Sequence, residues 1–518
     1  MNSTSMKHVT SIFCLLFLVS LAGCGSRNDM ASIPVSPENL KKAGTVSDRL
    51  LSYNVEMVEV TGGRFWAPYV NGVSKTGEDR YEYRQPIDLD NPRLQKLAAA
   101  LGPAYVRVSG TWANATWFAD SDTPPAEPPG GFDAVLTQQQ WRSLVNFADV
   151  VDGEIVVSMA TSAGARDSNG VWQTDNAERL FTFTENLGAK IAAVEFANEP
   201  NMIGLTQPPE NYTPADYHRD YARFHDFVRN QSPETLILAP GAVEMGQPMR
   251  TLANLFSSGA MFKAEELLAD DSPKPDVVSF HYYGASSQRC HVPLLGSQPS
   301  DAYDPNFLAG IDDGISNMKA IRDRIAPGVP LWNTESGETA CGGNPWATTF
   351  SDTYRFLDQL ARSARQGVEV FMHNTLAASD YAILNEDDFS PRPNYWAALL
   401  WRTLMGTTVL DFQGGKEHLN IYAHCHRTLP GAVTVLAINF DQEHSSVLET
   451  ASGGEIFRFT EASNGPKYAA LNGATLALGE NDSLPELSGT PFAAGEVTLA
   501  PASISFLVFP DAGNSVCR

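Results

Sequence analysis

Eight short apolar runs between residues 49 and 406 constrain this chain more than any other feature. They read SYNVEMVEV, AYVRVSG, EIVVSMA, KIAAVEFANE, TLILAPGA, DVVSFHYY, PLWNTESG and VEVFMHN. Most lack polar alternation, the pattern of strands covered on both faces. Helical periodicity separates several of them. TQQQWRSLVNFADVV sets Trp141, Leu144, Val145 and Ala148 on one face, and TYRFLDQLARSAR sets Phe356, Leu357, Leu360 and Ala361 likewise. Eight buried strands alternating with helices predict an α/β fold, a (β/α)8 TIM barrel over residues 49–406, some of its connections long.

From residue 407 the texture changes. TTVLDF, LNIYAHCH, GAVTVLAINF, EIFRFTE and ASISFLVFP alternate apolar and polar residues between Gly, Asn, Asp and Pro. This predicts an antiparallel β-sandwich accessory domain over residues 407–518. Residues 24–48 are polar and read as a tether.

The formal net charge of −24 argues against nucleic acid as a partner, which would select a basic face. It also makes a densely sulfated polyanion an awkward substrate. The bases available near the expected barrel mouth, Arg64, Lys75, Arg80, Arg84, Arg166 and Arg289, are scattered along the chain, and the segments SDTPPAEPPGGFD and LNEDDFSP are acidic.

At the N-terminus, Lys7 and His8 precede the run SIFCLLFLVSLAGC, too short to span a bilayer as a mature helix. Its end, Leu21, Ala22, Gly23 and Cys24, resembles the bacterial lipoprotein signal. The resemblance implies a signal peptide over residues 1–23, lipidation of Cys24, and an exported protein anchored to a membrane rather than spanning it. Which membrane face it occupies is left open.

With Cys14 in the signal and Cys24 lipidated, Cys290, Cys341, Cys425 and Cys517 remain, and an even number in an exported chain points to disulfides. Three pairings are possible. Domain membership favours Cys290 with Cys341 and Cys425 with Cys517. Their spacing is not that of a zinc site, so no metal is expected, and no motif calls for a cofactor.

In such a barrel, chemistry gathers at the C-terminal ends of the strands. The first run carries Glu56, the fourth ends on Asn198 and Glu199, the sixth on His281, Tyr282 and Tyr283, and the seventh places Glu335 near its end. Glu199 alone could be a loop acid where Pro200 stops the strand. Paired with Glu335 across one mouth, it matches the two carboxylates of glycoside hydrolysis, and retention would require them about 5–5.5 Å apart. Proximity to Glu335 should raise the pKa of Glu199. His281 is either a satisfied core histidine or a site residue. Glu56 contacts sugar hydroxyls or pairs with Arg107.

The sequences FANEPN and WNTES, together with SYNVEMVEVTGGRFW, SFHYYG, WNTESGETACGGNPW and HNTLAASDYAILNEDDFSPRPNYW, resemble glycoside hydrolase family 79, the heparanase and β-glucuronidase family. The resemblance implies Glu199 as general acid/base and Glu335 as nucleophile of a retaining β-glucuronidase acting on uronic-acid glycans or conjugates. Endo-acting, heparanase-like cleavage and a non-catalytic glycan-binding role are the alternatives. It further implies that Asn198 meets the sugar 2-hydroxyl and that Tyr283 holds the nucleophile. Ser379, Asp380 and Tyr381 would receive the uronic acid carboxylate through backbone N–H groups and the tyrosine hydroxyl. Glu338, in GET, also resembles a nucleophile tripeptide, but the distance from Trp332 and the following Gly342 and Gly343 favour Glu335.

Overall fold

The computed structural model describes residues 32–518 except 122, 204–206, 245–260 and 291–294. The expected signal peptide and Cys24 lie outside the described residues. Among the described residues, no helix is long and apolar enough to cross a membrane.

The eight apolar runs form a closed, all-parallel barrel in chain order. Its strands are Leu51–Asn54, Ala104–Val108, Gly153–Ser158, Ala193–Glu195, Leu236–Glu244, Val277–Tyr282, Leu331–Ser336 and Val368–His373. The eighth strand pairs with the first, through Phe371 opposite Leu51, and closes the ring. The first run is only half strand. After Asn54 it turns into a short helix, Met57–Thr61, which leaves Glu56 at the helix N-cap, where its backbone N–H meets the Glu59 carboxylate at 2.6 Å.

Helix Gln138–Val150 begins on a capping box made by Thr137 and Gln140, and buries Trp141, Leu144, Phe147 and Ala148. Helix Asp352–Arg365 is buried all round because it lies between the eighth barrel strand and the accessory sheet. Its charged residues are accordingly paired along the helix, Asp352 with Arg355 and Asp358 with Arg362.

The accessory domain is a sandwich of a nine-stranded and a three-stranded sheet. Its strands are less alternating than their sequence implies. Val433–Asn439 and Ser503–Phe509 are buried at every position. One face, with Val435 and Leu507, meets the small sheet; the other, with Leu436 and Phe506, joins the core shared with the barrel.

The stretch 24–48 is not a tether from Ser32 onward. Ile33–Val35 pairs with Ser446–Thr450 in the small sheet, and Lys41–Thr45 pairs with Met405–Asp411 in the large one. Ile33 and Val35 are buried in the sandwich core, which is what holds so short a strand in place. Asn514, near the other end of the chain, donates its side-chain N–H groups to the carbonyls of Pro37 and Leu40 at 2.8 and 2.9 Å. Disulfides join Cys290 to Cys341 (Cα–Cα 6.2 Å) and Cys425 to Cys517 (Cα–Cα 5.2 Å).

Candidate active site

The fourth barrel strand ends in a strained turn. Glu199 has φ = 51°, the left-handed region that a non-glycine residue enters only when its surroundings hold it there. Asn114 supplies that hold. Its side chain accepts from Asn198 N at 2.9 Å and donates to Asn198 O at 3.0 Å. The polar residues closing this run are therefore pinned, and Glu199 is presented beside Asn198 rather than trailing into a loop.

The hub of the site is Arg107, next to last in the second barrel strand and fully buried. It donates to Glu195 Oε2 (2.8 Å from Nη2), to Glu335 Oε2 (3.0 Å), and to Asn198 Oδ1 (2.9 Å). Burial works against its charge, but Glu195 and Glu335 outweigh that and hold its pKa above the ordinary arginine value. Glu195 is in turn met by the Thr334 hydroxyl at 3.0 Å. A buried guanidinium flanked by two carboxylates thus fixes the ends of strands two, four and seven together.

Glu335 is held at both oxygens, by Arg107 and by the Tyr283 hydroxyl at 2.7 Å. One carboxylate oxygen of Glu335 and one of Glu199 lie within 4.8 Å of each other. Asn198 Oδ1 also accepts from Ser109 Oγ and Gly110 N, each at 3.2 Å, which fixes its amide orientation and leaves Nδ2 to donate outward.

The protonation of His281 follows from its partners. Nε2 stands 3.1 Å from Arg107 Nη2, and a guanidinium can only donate, so Nε2 accepts and the ring proton sits on Nδ1. Nδ1–H then donates to Glu199 Oε1 at 3.0 Å. Burial, with Arg107 adding to it, pushes the imidazole pKa down to about 4, so the ring is neutral at ordinary pH. Because Oε1 is occupied as an acceptor, a proton on Glu199 belongs on Oε2.

The Glu199 pKa is pushed up to about 7, first by burial; Arg107 opposes the rise and Glu195 adds to it. The expectation that Glu335 supplies part of this rise is corrected: its causes are instead burial first and the like charge of Glu195. Glu56 is also held well above the ordinary carboxylate range, by burial and then by Glu335. Glu56 Oε1 accepts from Asn374 Nδ2 at 3.0 Å, and Arg107 is not its hydrogen-bond partner.

One donor atom from each of Glu199, His281 and Glu335 is close enough to share a cation. The chemistry disfavours it: His281 Nδ1 carries the ring proton, and the Arg107 guanidinium already occupies the electropositive position beside Glu335.

Glu338 lies outside this group. Ser297, Thr339, the backbone and side chain of Asn344, and Trp346 Nε1 all donate to it, and it braces the loop after strand seven.

The segment 379–381 divides. Tyr381 is buried beside the site, its hydroxyl accepting from Asn374 Nδ2 at 3.0 Å. Ser379 Oγ donates to Gly342 O at 2.9 Å. Asp380 does not fit the expected role: its N–H donates to Gly342 O at 3.1 Å and its carboxylate is paired with Arg289. The N–H groups of Ser379 and Tyr381 meet no acceptor among the described residues. The same holds for Gly342 and Gly343, which follow Cys341 in a run of three positive φ values, 65, 82 and 77°. Arg289 fixes that turn by donating to the carbonyls of Gly342 (3.1 Å) and Gly343 (2.7 Å).

Sequence reasoning passed over Arg107 as a hub, and Glu195, Asn114 and Asn374 altogether. A signal existed for the first two: a lone charge in each of two fully apolar runs, AYVRVSG and AAVEF, one basic and one acidic.

A family model described as "Glycosyl hydrolase family 79, N-terminal domain" matches residues 86–361. Heparanase-like protein 2 of Arabidopsis thaliana is 23% identical over 393 residues, covering 71% of this chain and 68% of the relative. Baicalin-beta-D-glucuronidase of Scutellaria baicalensis is 26% identical over 473 residues, covering 82% and 84%. Among solved structures, a 4-O-alpha-L-rhamnosyl-beta-D-glucuronidase from Fusarium oxysporum 12S superposes with a TM-score of 0.62 at 15% identity, over 92% of this chain and 99% of that one.

Proposed function

The chain belongs to glycosyl hydrolase family 79 and is a glycoside hydrolase, and from that premise we propose that it is a retaining β-glucuronidase in which Glu335 is the nucleophile and Glu199 the acid/base. The carrying observation is the pair itself. Their oxygens approach within 4.8 Å across one mouth, near the retaining distance of about 5–5.5 Å and far from the wider gap that inversion needs for a water. Glu335 is clamped for attack at the anomeric carbon. Glu199 keeps its proton to near neutrality and carries it on the oxygen that His281 leaves free, ready for the leaving oxygen.

A glucuronide is supported by the relatives that are glucuronidases by name and by the Tyr381 side of the pocket. The hydroxyl of Tyr381 and the acceptor-free N–H groups of Gly342, Gly343, Ser379 and Tyr381 form a neutral receptor for a sugar carboxylate. Against a sulfated polymer, five of the six bases near the mouth are spent on acids: Arg64 with Glu78, Lys75 with Glu82, Arg84 with Glu386, Arg166 with Asp220 and Arg289 with Asp380.

The test is stereochemical. Proton NMR during hydrolysis of an aryl β-glucuronide should show β-glucuronic acid first, with the α-anomer appearing later by mutarotation; α-anomer first would mean inversion and remove Glu335 from its role.

A pH dependence follows from Glu199. A carboxyl group with its pKa at about 7 is protonated below that pH and loses its proton as pH rises through it. The rate with a poor leaving group should therefore fall by about tenfold per pH unit above neutrality. A rate that stays level to pH 9 would show that the proton comes from elsewhere.

We also propose that Cys24 carries the lipid anchor. Cys24→Ala should move the protein from the membrane fraction to the soluble one, and unchanged partitioning would exclude the anchor.

A further inference from the structure

Residues 63–84 leave the first barrel strand's loop and cross toward the loops after strands seven and eight. Gly63–Trp66 and Tyr81–Arg84 pair as an antiparallel hairpin. The crossing is tied down at its far side, by Tyr69 OH donating to Gly343 O (3.1 Å), by Arg289 Nε donating to Ala67 O (3.0 Å), and by the Arg84–Glu386 ion pair. It is a fixed part of the pocket rim.

Trp66 is the residue that it delivers. A Cβ placed on Gly342 would stand 2.7 Å from Trp66 Cγ and 2.6 Å from Ser379 Oγ, so the indole packs directly on the turn proposed above to receive the sugar carboxylate. The Trp66 ring lies 4.8 Å from that of Tyr81 and meets Trp112 edge-on at 6.0 Å. Trp112 in turn follows Gly110, where a Cβ would fall 1.5 Å from Glu56 Oε2. From Glu56 round to Tyr381, this side of the pocket is therefore walled.

The geometry of the sugar says what the wall excludes. In a glucuronic acid ring, C1 lies among the reacting carboxylates, and C5 carries the acid group. C4 is bonded to C5 and lies across the ring from C1. A side chain packed against the carboxylate receptor, and not among the groups that hold Glu199 and Glu335, is therefore assigned to the side where a substituent on O4 would extend.

We propose that Trp66 closes the pocket at O4 of the bound uronic acid, so that the enzyme removes only a terminal glucuronic acid whose 4-hydroxyl is free. This rests on the β-glucuronidase reading. It makes exo action a consequence of one indole, independent of the acidic charge of the rim.

The experiment compares two substrates, nitrophenyl β-glucuronide and the same glycoside carrying a rhamnosyl group on O4. For the unmodified enzyme, kcat/KM should favour the first by at least about 100-fold, since the larger substrate must displace a packed ring. In Trp66→Ala the ratio should fall to within about tenfold. Tyr81→Ala, which removes the ring tilted against Trp66, should lower it in the same direction and serves if Trp66→Ala does not fold. A ratio near one in the unmodified enzyme overturns the proposal, and so does a high ratio that neither folded variant lowers. Cleavage of neither substrate would instead overturn the glucuronidase reading, and the wall with it.

Discussion

Glu335→Gln should abolish turnover of activated and unactivated glucuronides alike, a loss of about 10⁴-fold or more, because no covalent intermediate can form without the carboxylate. Glu199→Gln should behave differently. A nitrophenyl leaving group needs little protonation, so its first release should survive and appear as a burst. An alkyl glucuronide should lose about 10²–10⁴-fold, the contribution of a positioned proton donor. The burst should be followed by slow turnover, since the same carboxylate must then activate water. Pre-steady-state absorbance measurements read both phases. Equal losses on the two substrates for Glu199→Gln would remove it as the acid. Glu338→Gln is the internal control: its carboxylate is engaged by loop donors only, and a folded variant as inactive as Glu335→Gln would transfer the nucleophile to that position.

The second large effect belongs to Arg107. Arg107→Met removes the partner of Glu195 and of Glu335 together, in a setting where neither arginine nor Glu195 is accessible to water. Breaking such a buried pair from one side costs about 3–5 kcal/mol of stability, chiefly through the acid left unpaired. Chemical denaturation should show that loss, and kcat should fall by about 10²-fold as Glu335 and Asn198 lose their anchor. Adding Glu195→Gln should restore part of the stability while leaving activity low, since Glu335 still lacks its donor. That non-additivity is the signature of one coupled network. A single variant costing under about 1 kcal/mol would show the cluster to be looser than its geometry.

These expectations rest on residues of unequal legibility. The barrel was readable because parallel strands covered on both faces print as continuous apolar runs, and all eight runs contribute a strand. Glu199 and Glu335 were readable because strand ends were. The partners were not, since hydrogen-bond choice depends on distances that spacing does not encode: Glu56 takes Asn374 rather than Arg107. Asp380 has the right place in the segment, but its N–H and carboxylate are already engaged. Ile33–Val35 was hidden for another reason. Three residues carry no periodicity, and their strand exists only because a sheet formed by residues far along the chain offers an edge.

That last arrangement sets an order of events. Lys41–Thr45 finds its partner only after Met405–Asp411 has been made, and Pro37 and Leu40 receive Asn514 only after that residue has been made. The earliest part of the described chain therefore lacks these partners until the residues that follow the barrel have been made. Contacts so distant in sequence form slowly, because a long loop must close before any of them is gained. A chain cut before Asn514 would also free residues 37–40, so the sandwich acts as a clasp that couples two segments 474 and 477 positions apart.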